Sequence, residues 1–540
     1  MFAVFYAVFG IPLARVADVW VRRSLIAMGV LLWSLMTVLS GFCGSFTALA
    51  LCRIGVGIGE ATATPAGASM LGDLYPPHMR ATVLSLYGSG VFLGLGLGLG
   101  VGGFILAGWK RAFPEPATDA PLGMEAWQAA FVLIGAPGIV VSAIVRALPE
   151  PQRGADGGAR APTHGLASGV ARGGATMRGR DVVDAVHGIT SDSELLAADT
   201  DDAGSDGASS AGLGKGRRRS ARPCAVVWDE LVALTPGLNW GHLRASGMLR
   251  ANVAAASVFS ITAAALVHAT GDATQWAALG AALYLTVGWA QALRARDRPT
   301  YAMIFGSEAV RSVLLISAPM GFVAYTFAFW TAPLLMRLHP SVSRAYLGKW
   351  LGLGTACGGL IGSVVSGTLS DRLKLRHPAG RVLVPLLSIA LEVPLKICIM
   401  YAPSLDAACG LHFLRSISGA LWLSMAPSVL TELVLPRMRA TAVALNILVV
   451  TLAGSASGPY ACGLLSDRLV ARGHSQADAL RTAMMCALAV YPLVAMATWR
   501  AWRTVPAAER SRFDRAASFG ERAVELPAVA LVGMDPSEAW

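Results

Sequence analysis

The sequence predicts an all-α polytopic membrane protein made of two homologous helical bundles, and three observations predict it. The first is composition. Of 540 residues, 54% are hydrophobic and 14% charged, where soluble domains carry about 25% charged residues; mean hydropathy is +0.56. The second is a series of apolar runs that reach the ~20 residues needed to cross hydrocarbon. They lack a period-two alternation, which leaves helices as the spanning option. The third is an internal repeat, described below.

In chain order, a short apolar run over 1–14 ends in Arg15-Val-Ala-Asp18-Val-Trp-Val-Arg22-Arg23. Spans are predicted near 24–43, 46–72, 80–108 and 126–147, completing an N-terminal bundle over 1–147. The connection at 41–46 is uncharged, while Arg22, Arg23, His78 and Arg80 mark the opposite side, which is therefore expected to be cytoplasmic. Residues 148–222 are rich in Gly, Ala, Ser, Asp and Arg. An acidic patch (Asp192, Glu194, Asp199, Asp201, Asp202, Asp206) precedes a basic one (Lys215, Arg217, Arg218, Arg219, Arg222). This composition predicts a disordered cytoplasmic linker, acting as a tether, with contact to anionic lipid as the competing role of the basic patch. Residues 223–300 add more linker and two inserted spans, near 249–268 and 274–293, whose flanks carry Arg244, Arg250, Arg294, Arg296 and Arg298. A C-terminal six-helix bundle over 301–502 follows, with spans near 308–334, 346–370, 382–402, 407–430, 438–463 and 479–499. A polar cytoplasmic tail occupies 503–540. The sum is about thirteen spans.

Net charge is +11. The basic residues lie between apolar runs, so the charge reads as a topology signal and no nucleic-acid partner is expected. The eight cysteines contain no CxxC pair, and neither a metal site nor a disulfide framework is expected. The run Gly94–Gly103 contains a formal GxGxxG at 98–103. A dinucleotide site needs a strand before it and a helix after it, so this glycine run reads instead as a surface where helices approach closely. There is no Walker A loop, catalytic triad or metal cluster; no cofactor and no enzyme activity are expected.

The repeat pairs Tyr75-Pro-Pro-His-Met-Arg80-Ala-Thr82 with Val434-Leu-Pro-Arg-Met-Arg439-Ala-Thr441. An acid precedes each, Asp73 and Glu432. Each follows by about twenty residues an arginine inside an apolar helix: Arg53-Ile-Gly-Val-Gly57-Ile-Gly59-Glu60 and Arg415-Ser-Ile-Ser-Gly419. A proline stands twelve positions after each arginine, Pro65 and Pro427. Upstream lie acidic loops at Asp18 and at Gly367-Thr-Leu-Ser-Asp371-Arg372. Repetition in this order means two homologous bundles.

These residues resemble the major facilitator superfamily. Gly367–Arg372 resembles its loop motif between the second and third helices of a half, and Arg53-x-x-x-Gly57-x-Gly59 resembles its fourth-helix motif. Phe9-Gly-Ile-Pro-Leu-Ala-Arg-Val-Ala-Asp18, Gly57-Ile-Gly-Glu60-Ala and Tyr75-Pro-Pro…Arg80-Ala-Thr resemble the spinster-like branch. The resemblance implies a helix ahead of residue 1 that carries a proton-coupling acid. It has no counterpart here, so the N-terminal half is expected to lack its first helix. Val19 stands where the loop motif usually has Arg.

Two groups of candidate residues follow. Asp18, Arg22, Arg23, Asp73 and Arg80, with Asp371, Arg372, Glu432 and Arg439, form a gating network at the cytoplasmic helix ends; surface ion pairs worth ~0–1 kcal/mol are the competing reading. Arg53 and Glu60 lie on one helix face two turns apart. An intramembrane pair of that kind costs several kcal/mol to bury, and the charge of such a carboxylate is set by burial against the nearby guanidinium. The resemblance places both in a central cavity for an anionic headgroup and a proton; a buried structural ion pair that fixes the bundle is the competing reading. Glu392 and Lys396, four apart with Pro394 between them, either line that cavity or neutralise each other. Arg415 is the twin of Arg53, and Trp422 stands where the twin of Glu60 would be. His412 lies near a helix end, where a solvated side chain is expected.

The function implied is secondary transport by alternating access, proton-coupled, of a lipid-like or amphipathic anionic solute. Drug or metabolite efflux is the alternative within transport. A non-transporting scaffold or truncated relic is the alternative outside it. The partners expected are that solute, protons and membrane lipids, with the protein a monomer in an inner or plasma membrane.

Overall fold

A computed structural model describes residues 2–154 and 223–519. Among the described residues all regular structure is helical. The N-terminal bundle holds α1 (Phe2–Val19), α2 (Arg22–Ser40), α3 (Phe46–Glu60), α4 (Ala63–Leu74), α5 (Arg80–Ala112) and α6 (Ala126–Ala147). A cassette follows: α7 (Pro223–Leu234), then the inserted pair α8 (Leu249–Thr270) and α9 (Ala273–Arg296). The C-terminal bundle holds α10 (Glu308–Leu338), α11 (Arg344–Arg376), α12 (Val384–Met400), α13 (Leu405–Ala420), α14 (Met425–Leu433), α15 (Arg439–Val450), α16 (Gly458–Ala471), α17 (Gln476–Ala487) and α18 (Tyr491–Arg510). Taken with their continuations, 12 of these segments are long and apolar enough to cross a membrane. With the 18-residue α1 they account for the thirteen predicted spans.

The two spans predicted over 46–72 and 407–430 are each broken in the middle. α3 ends at Glu60 and α4 restarts at Ala63; α13 ends at Ala420 and α14 restarts at Met425. The repeated prolines explain both breaks. Pro65 and Pro427 are each the third residue of the restarted helix, where a missing N–H is tolerated, but neither could donate to the turn before it. A third span is interrupted by a π-helical stretch, Thr451–Ala456, between α15 and α16, where Gly321 of α10 approaches Gly454 so closely that a Cβ there would lie 2.9 Å from the Gly321 carbonyl.

The halves meet chiefly along α5 against α11 and α1 against α15. The glycine run was expected to bring helices close along its length, and it does so at one position. A Cβ on Gly96 would fall 2.3 Å from Ala356 Cβ and 2.8 Å from the Gly352 carbonyl, whereas Gly94, Gly98, Gly100, Gly102 and Gly103 have nothing within 4 Å. Glycines at every second position step about 200° around a helix, so few of them face any one neighbour.

Two boundaries differ from expectation. The predicted disordered linker starts with an ordered segment: residues 148–154 pack onto the bundle through Glu150 and Arg153. The remainder, including both charged patches, lies outside the described residues. The predicted tail is helical through Arg510 and again over Arg512–Ser518, and its last residues also lie outside them. Glu509 accounts for part of this order by pairing with Lys374 of α11 at 2.5 Å.

Gly96→Val is expected to lower bundle stability by about 1–3 kcal/mol through overpacking, seen as a lower unfolding temperature in detergent. Gly100→Val is expected to leave it unchanged, and equal effects of the two would show that α5 does not meet α11 at Gly96.

Candidate functional site

The repeat folds into a reciprocal contact between the halves. Asp18, at the end of α1, accepts from the backbone N–H groups of Ala440 and Thr441 at 2.9 Å each, and from the Thr441 hydroxyl. Asp371, near the end of α11, accepts from the N–H groups of Ala81 and Thr82 at 3.1 and 2.8 Å, and from the Thr82 hydroxyl at 2.7 Å. Each acid of one half therefore caps the helix that follows Met-Arg-Ala-Thr in the other half. The chemistry is local and general: the first turn of a helix has N–H groups with no helical acceptor, and the helix dipole favours negative charge there.

A second layer holds the same end. Asp73 accepts from Arg22 and Arg439 at 2.5 Å each, the latter across the halves, and all three side chains are buried. Glu432, its twin, accepts from Arg381 at 2.5 Å and Lys374 at 3.0 Å. Arg381 also reaches Asp371 at 2.6 Å and, across the halves, the Pro77 carbonyl. The two repeat arginines match in detail: Arg80 Nε donates to the Gly72 carbonyl and Arg439 Nε to the Thr431 carbonyl, each eight residues back. Burying Asp73, Glu432, Arg22, Arg381 and Arg439 is tolerable because each is paired and hydrogen-bonded.

The structure distributes these residues differently from the pairing expected. Asp18 is not paired with Arg22 or Arg23. Arg22 instead bridges Asp73 and Glu150, while Arg23 donates to the Leu148 carbonyl and its N–H reaches Glu150. Arg372 is exposed and, among the described residues, has no hydrogen bond or ion pair; Arg381 and Lys374 hold the place assigned to it. Arg381, Lys374, Glu150 and Glu509 were missed because their neighbours give no motif. The one available signal was the basic run Arg372, Lys374, Arg376 and Arg381 within ten residues of Asp371.

Beyond this network lies a cavity of about 850 Å³. It is walled by α5 (Phe92, Leu95), α10 (Tyr325, Phe329), α11 (Leu351, Thr355), α12 (Glu392) and α13 with its break (His412, Arg415, Trp422). Thr355 is sixteen residues from Asp371, about 24 Å along the same helix, so the cavity sits well away from the capped end. A compact charge cluster meets it at Glu392 and Arg415, with Lys396 buried outside the lining. Lys396 pairs with Glu392 at 2.8 Å, Arg415 lies 3.6 Å from the same oxygen, and Lys396 also donates to the Tyr491 hydroxyl at 2.9 Å. Two cations thus face one carboxylate. His412 is buried rather than solvated, with Nε2 3.0 Å from the Thr355 hydroxyl. Among the described residues, Arg415 Nε and His412 Nδ1 have no hydrogen-bond partner.

Arg53 and Glu60 are not ion-paired to each other. Arg53 turns toward α2 and α6, donating to Ser40 Oγ at 2.8 Å and lying 4.7 Å over the Phe131 ring. It is not part of the cavity wall. Glu60 closes α3 at the break and lies near Tyr6 and Tyr325, and Tyr325 borders the cavity. Seven residues put two side chains on one face of a helix but do not decide which neighbouring helices stand opposite them.

A family model described as Major Facilitator Superfamily matches residues 1–334. The chain belongs to the major facilitator superfamily. An MFS-type efflux pump of Mycolicibacterium smegmatis is 35% identical over 144 residues, 27% of this chain and 30% of that protein. A probable L-galactonate transporter of Escherichia coli K12 is 25% identical over 142 residues, 26% of this chain and 28% of that protein. The chain therefore matches less than a third of the length of either relative. Among solved structures, a bacterial homologue of the human lysosomal transporter Spinster, inward-facing and unoccupied, covers 95% of this chain and 88% of its own at 21% identity and a TM-score of 0.49. A proton:xylose symporter covers 91% and 84% at 13% identity and a TM-score of 0.48. The protein is an integral multi-pass membrane protein of this family.

Two predictions arise from the capped end. Asp18→Asn and Asp371→Asn each withdraw a charge from a helix N-terminus, a change worth about 1 kcal/mol. Each is expected to speed amide exchange at the opposite pair of capped residues by roughly fivefold; an unchanged rate in either variant would remove that carboxylate from the contact. Glu150 lies outside the spans. Its burial opposes the charge, but the Arg23 N–H and the Arg22 guanidinium outweigh that and hold its carboxyl below the usual range. A depressed carboxylate stabilises the fold above the usual pKa of ~4.3 and loses that contribution as pH falls through the folded value. Tryptic cleavage after Arg153 is therefore expected to be slow across neutral pH and roughly fivefold faster in Glu150→Gln.

Proposed function

We propose that this member of the superfamily is a secondary active transporter that works by alternating access, couples to protons, and moves an amphipathic or anionic organic solute. The observation that carries the reading is the cavity's charged wall. Glu392 on the wall pairs with Arg415 beside it and with the buried Lys396 outside the lining, so the cluster holds a surplus positive charge, and among the described residues Arg415 Nε has no hydrogen-bond partner. A carboxylate or phosphate headgroup accepting from Arg415 would make a charge-assisted contact. The rest of the wall is apolar: Phe92, Leu95, Phe329, Leu351 and Trp422 suit an acyl or ring system. The motif resemblance to the spinster-like branch supports a lipid-like cargo.

The reciprocal caps supply the conformational side. They join the halves at the basic, cytoplasmic end, and each is built from a few hydrogen bonds. Their combined strength of a few kcal/mol is on the scale that a bound solute can overcome. In this reading Glu60, whose charge is felt at Tyr325, and Glu392, 3.6 Å from Arg415, exchange a proton as the cargo arrives or leaves. The efflux reading draws support from the similarity to the mycobacterial efflux pump over 144 residues, and it differs in direction and cargo charge rather than in mechanism.

Uptake into proteoliposomes under a pH gradient tests this, using a lysophospholipid, a long-chain carboxylate, a neutral sugar and a cationic dye. Anions are expected to be moved, with Arg415→Gln lowering their uptake by roughly tenfold or more and Glu60→Gln or Glu392→Gln flattening the pH dependence. Movement of the cationic dye without the anions would favour the efflux reading. A pH response intact in both carboxylate variants would remove proton coupling through these groups.

A further inference from the structure

The cassette between the halves is not merely appended to them. Its α9 ends at Arg296, and the next residue, Asp297, lies where the two halves meet at their basic end. Asp297 Oδ2 accepts from Arg15 of the N-terminal half at 2.5 Å and from Arg437 of the C-terminal half at 2.9 Å. The same oxygen accepts from the Thr300 hydroxyl at 2.7 Å, and Oδ1 from the Thr300 N–H at 3.0 Å. Arg15 lies 3.8 Å from a second cassette carboxylate, Glu230, which is itself held by Arg296 at 2.7 Å and by Trp289 Nε1 at 2.8 Å. The cassette therefore presents a rigid pair of anions to the junction.

The positions of the two arginines give this contact its meaning. Arg15 is three residues before Asp18, and Arg437 three before Ala440, so they flank the cap that joins α1 to α15. Both guanidinium groups, one from each half, meet Asp297 Oδ2, and the carboxylate screens their mutual repulsion across the closed junction. Burial works against the charge on Asp297, but Arg15, Arg437 and the Thr300 N–H outweigh it, so the carboxyl sits far below its usual range and stays ionised. If the halves part at this end, the two arginines separate, and one carboxylate can no longer hold both.

We propose that Asp297 is a positioning residue of the transport cycle: a counter-ion shared by the two halves, through which the inserted helix pair holds the basic end shut. The inference rests on the alternating-access reading above, and it makes the inserted pair a participant in the cycle.

The experiment is hydrogen–deuterium exchange on the full-length protein in nanodiscs. Asp297 caps the short helix Arg298–Ile304, and Asn is as good a cap as Asp, so Asp297→Asn removes the charge and keeps the cap. In this variant, exchange is expected to rise roughly fivefold at 439–445 and also at 80–86, a segment Asp297 does not touch, while 298–304 keeps its wild-type rate. Asp297→Glu is expected to restore the wild-type pattern. Unchanged exchange at 80–86 in Asp297→Asn, or a rise confined to 298–304, overturns the proposal and leaves Asp297 a local structural residue. Failure of the underlying reading shows separately: Asp371→Asn, which leaves Asp297 untouched, would then fail to raise exchange at Ala440 and Thr441.

Discussion

The structure depends on one interaction used twice: a carboxylate of one half seated on the exposed N–H groups at the start of a helix in the other. Asp18 does this for α15 and Asp371 for α5. A helix N-terminus is suited to the task because its donors are free and its dipole points the right way. Because the donor is a backbone array, the Ala-Thr of the repeat needs no long side chain, and Thr contributes its hydroxyl as a further donor. Around this core, Asp73 and Glu432 each collect two cations, so the buried charges are compensated before any ligand is present.

The charge in the middle of the molecule is arranged unevenly. In the C-terminal half Glu392, His412 and Arg415 reach the cavity through α12 and α13; Arg415 and the buried Lys396 share Glu392, and His412 is held at Thr355. In the N-terminal half the equivalent arginine is spent on Ser40 and Phe131, and α5 contributes glycine and apolar side chains to the cavity wall. Recognition of a charged group would then rest with one half and apolar contact with both. Under the proposed transport reading, that asymmetry would let a solute keep its headgroup on one bundle while the other moves.

The inserted segment and the start of the linker both reinforce the basic end. Glu150 and Arg153 tie residues 148–154 to α1 and α2, and Glu230 and Asp297 tie the cassette to Arg15 and Arg437. Segments whose composition resembles loop have thus acquired order by supplying acids to a surface that topology had made basic.

Much of the fold was legible before any coordinates. Apolar runs of bilayer length fixed the spans because hydrocarbon permits no unpaired backbone, and the twofold Met-Arg-Ala-Thr announced two related bundles. Asp18, Asp73, Asp371, Glu432, Arg22 and Arg439 were recognisable as a group because the repeat sets acids and arginines in the same order at the helix ends of both halves. Their partners were not, since Asp18 bonds to residues more than four hundred positions away and through backbone atoms that carry no sequence identity. Nor could the sequence say that Arg415 faces a cavity while Arg53 does not. The two share a motif and a helical phase, and what separates them is which neighbouring helices stand opposite, a matter settled by packing alone.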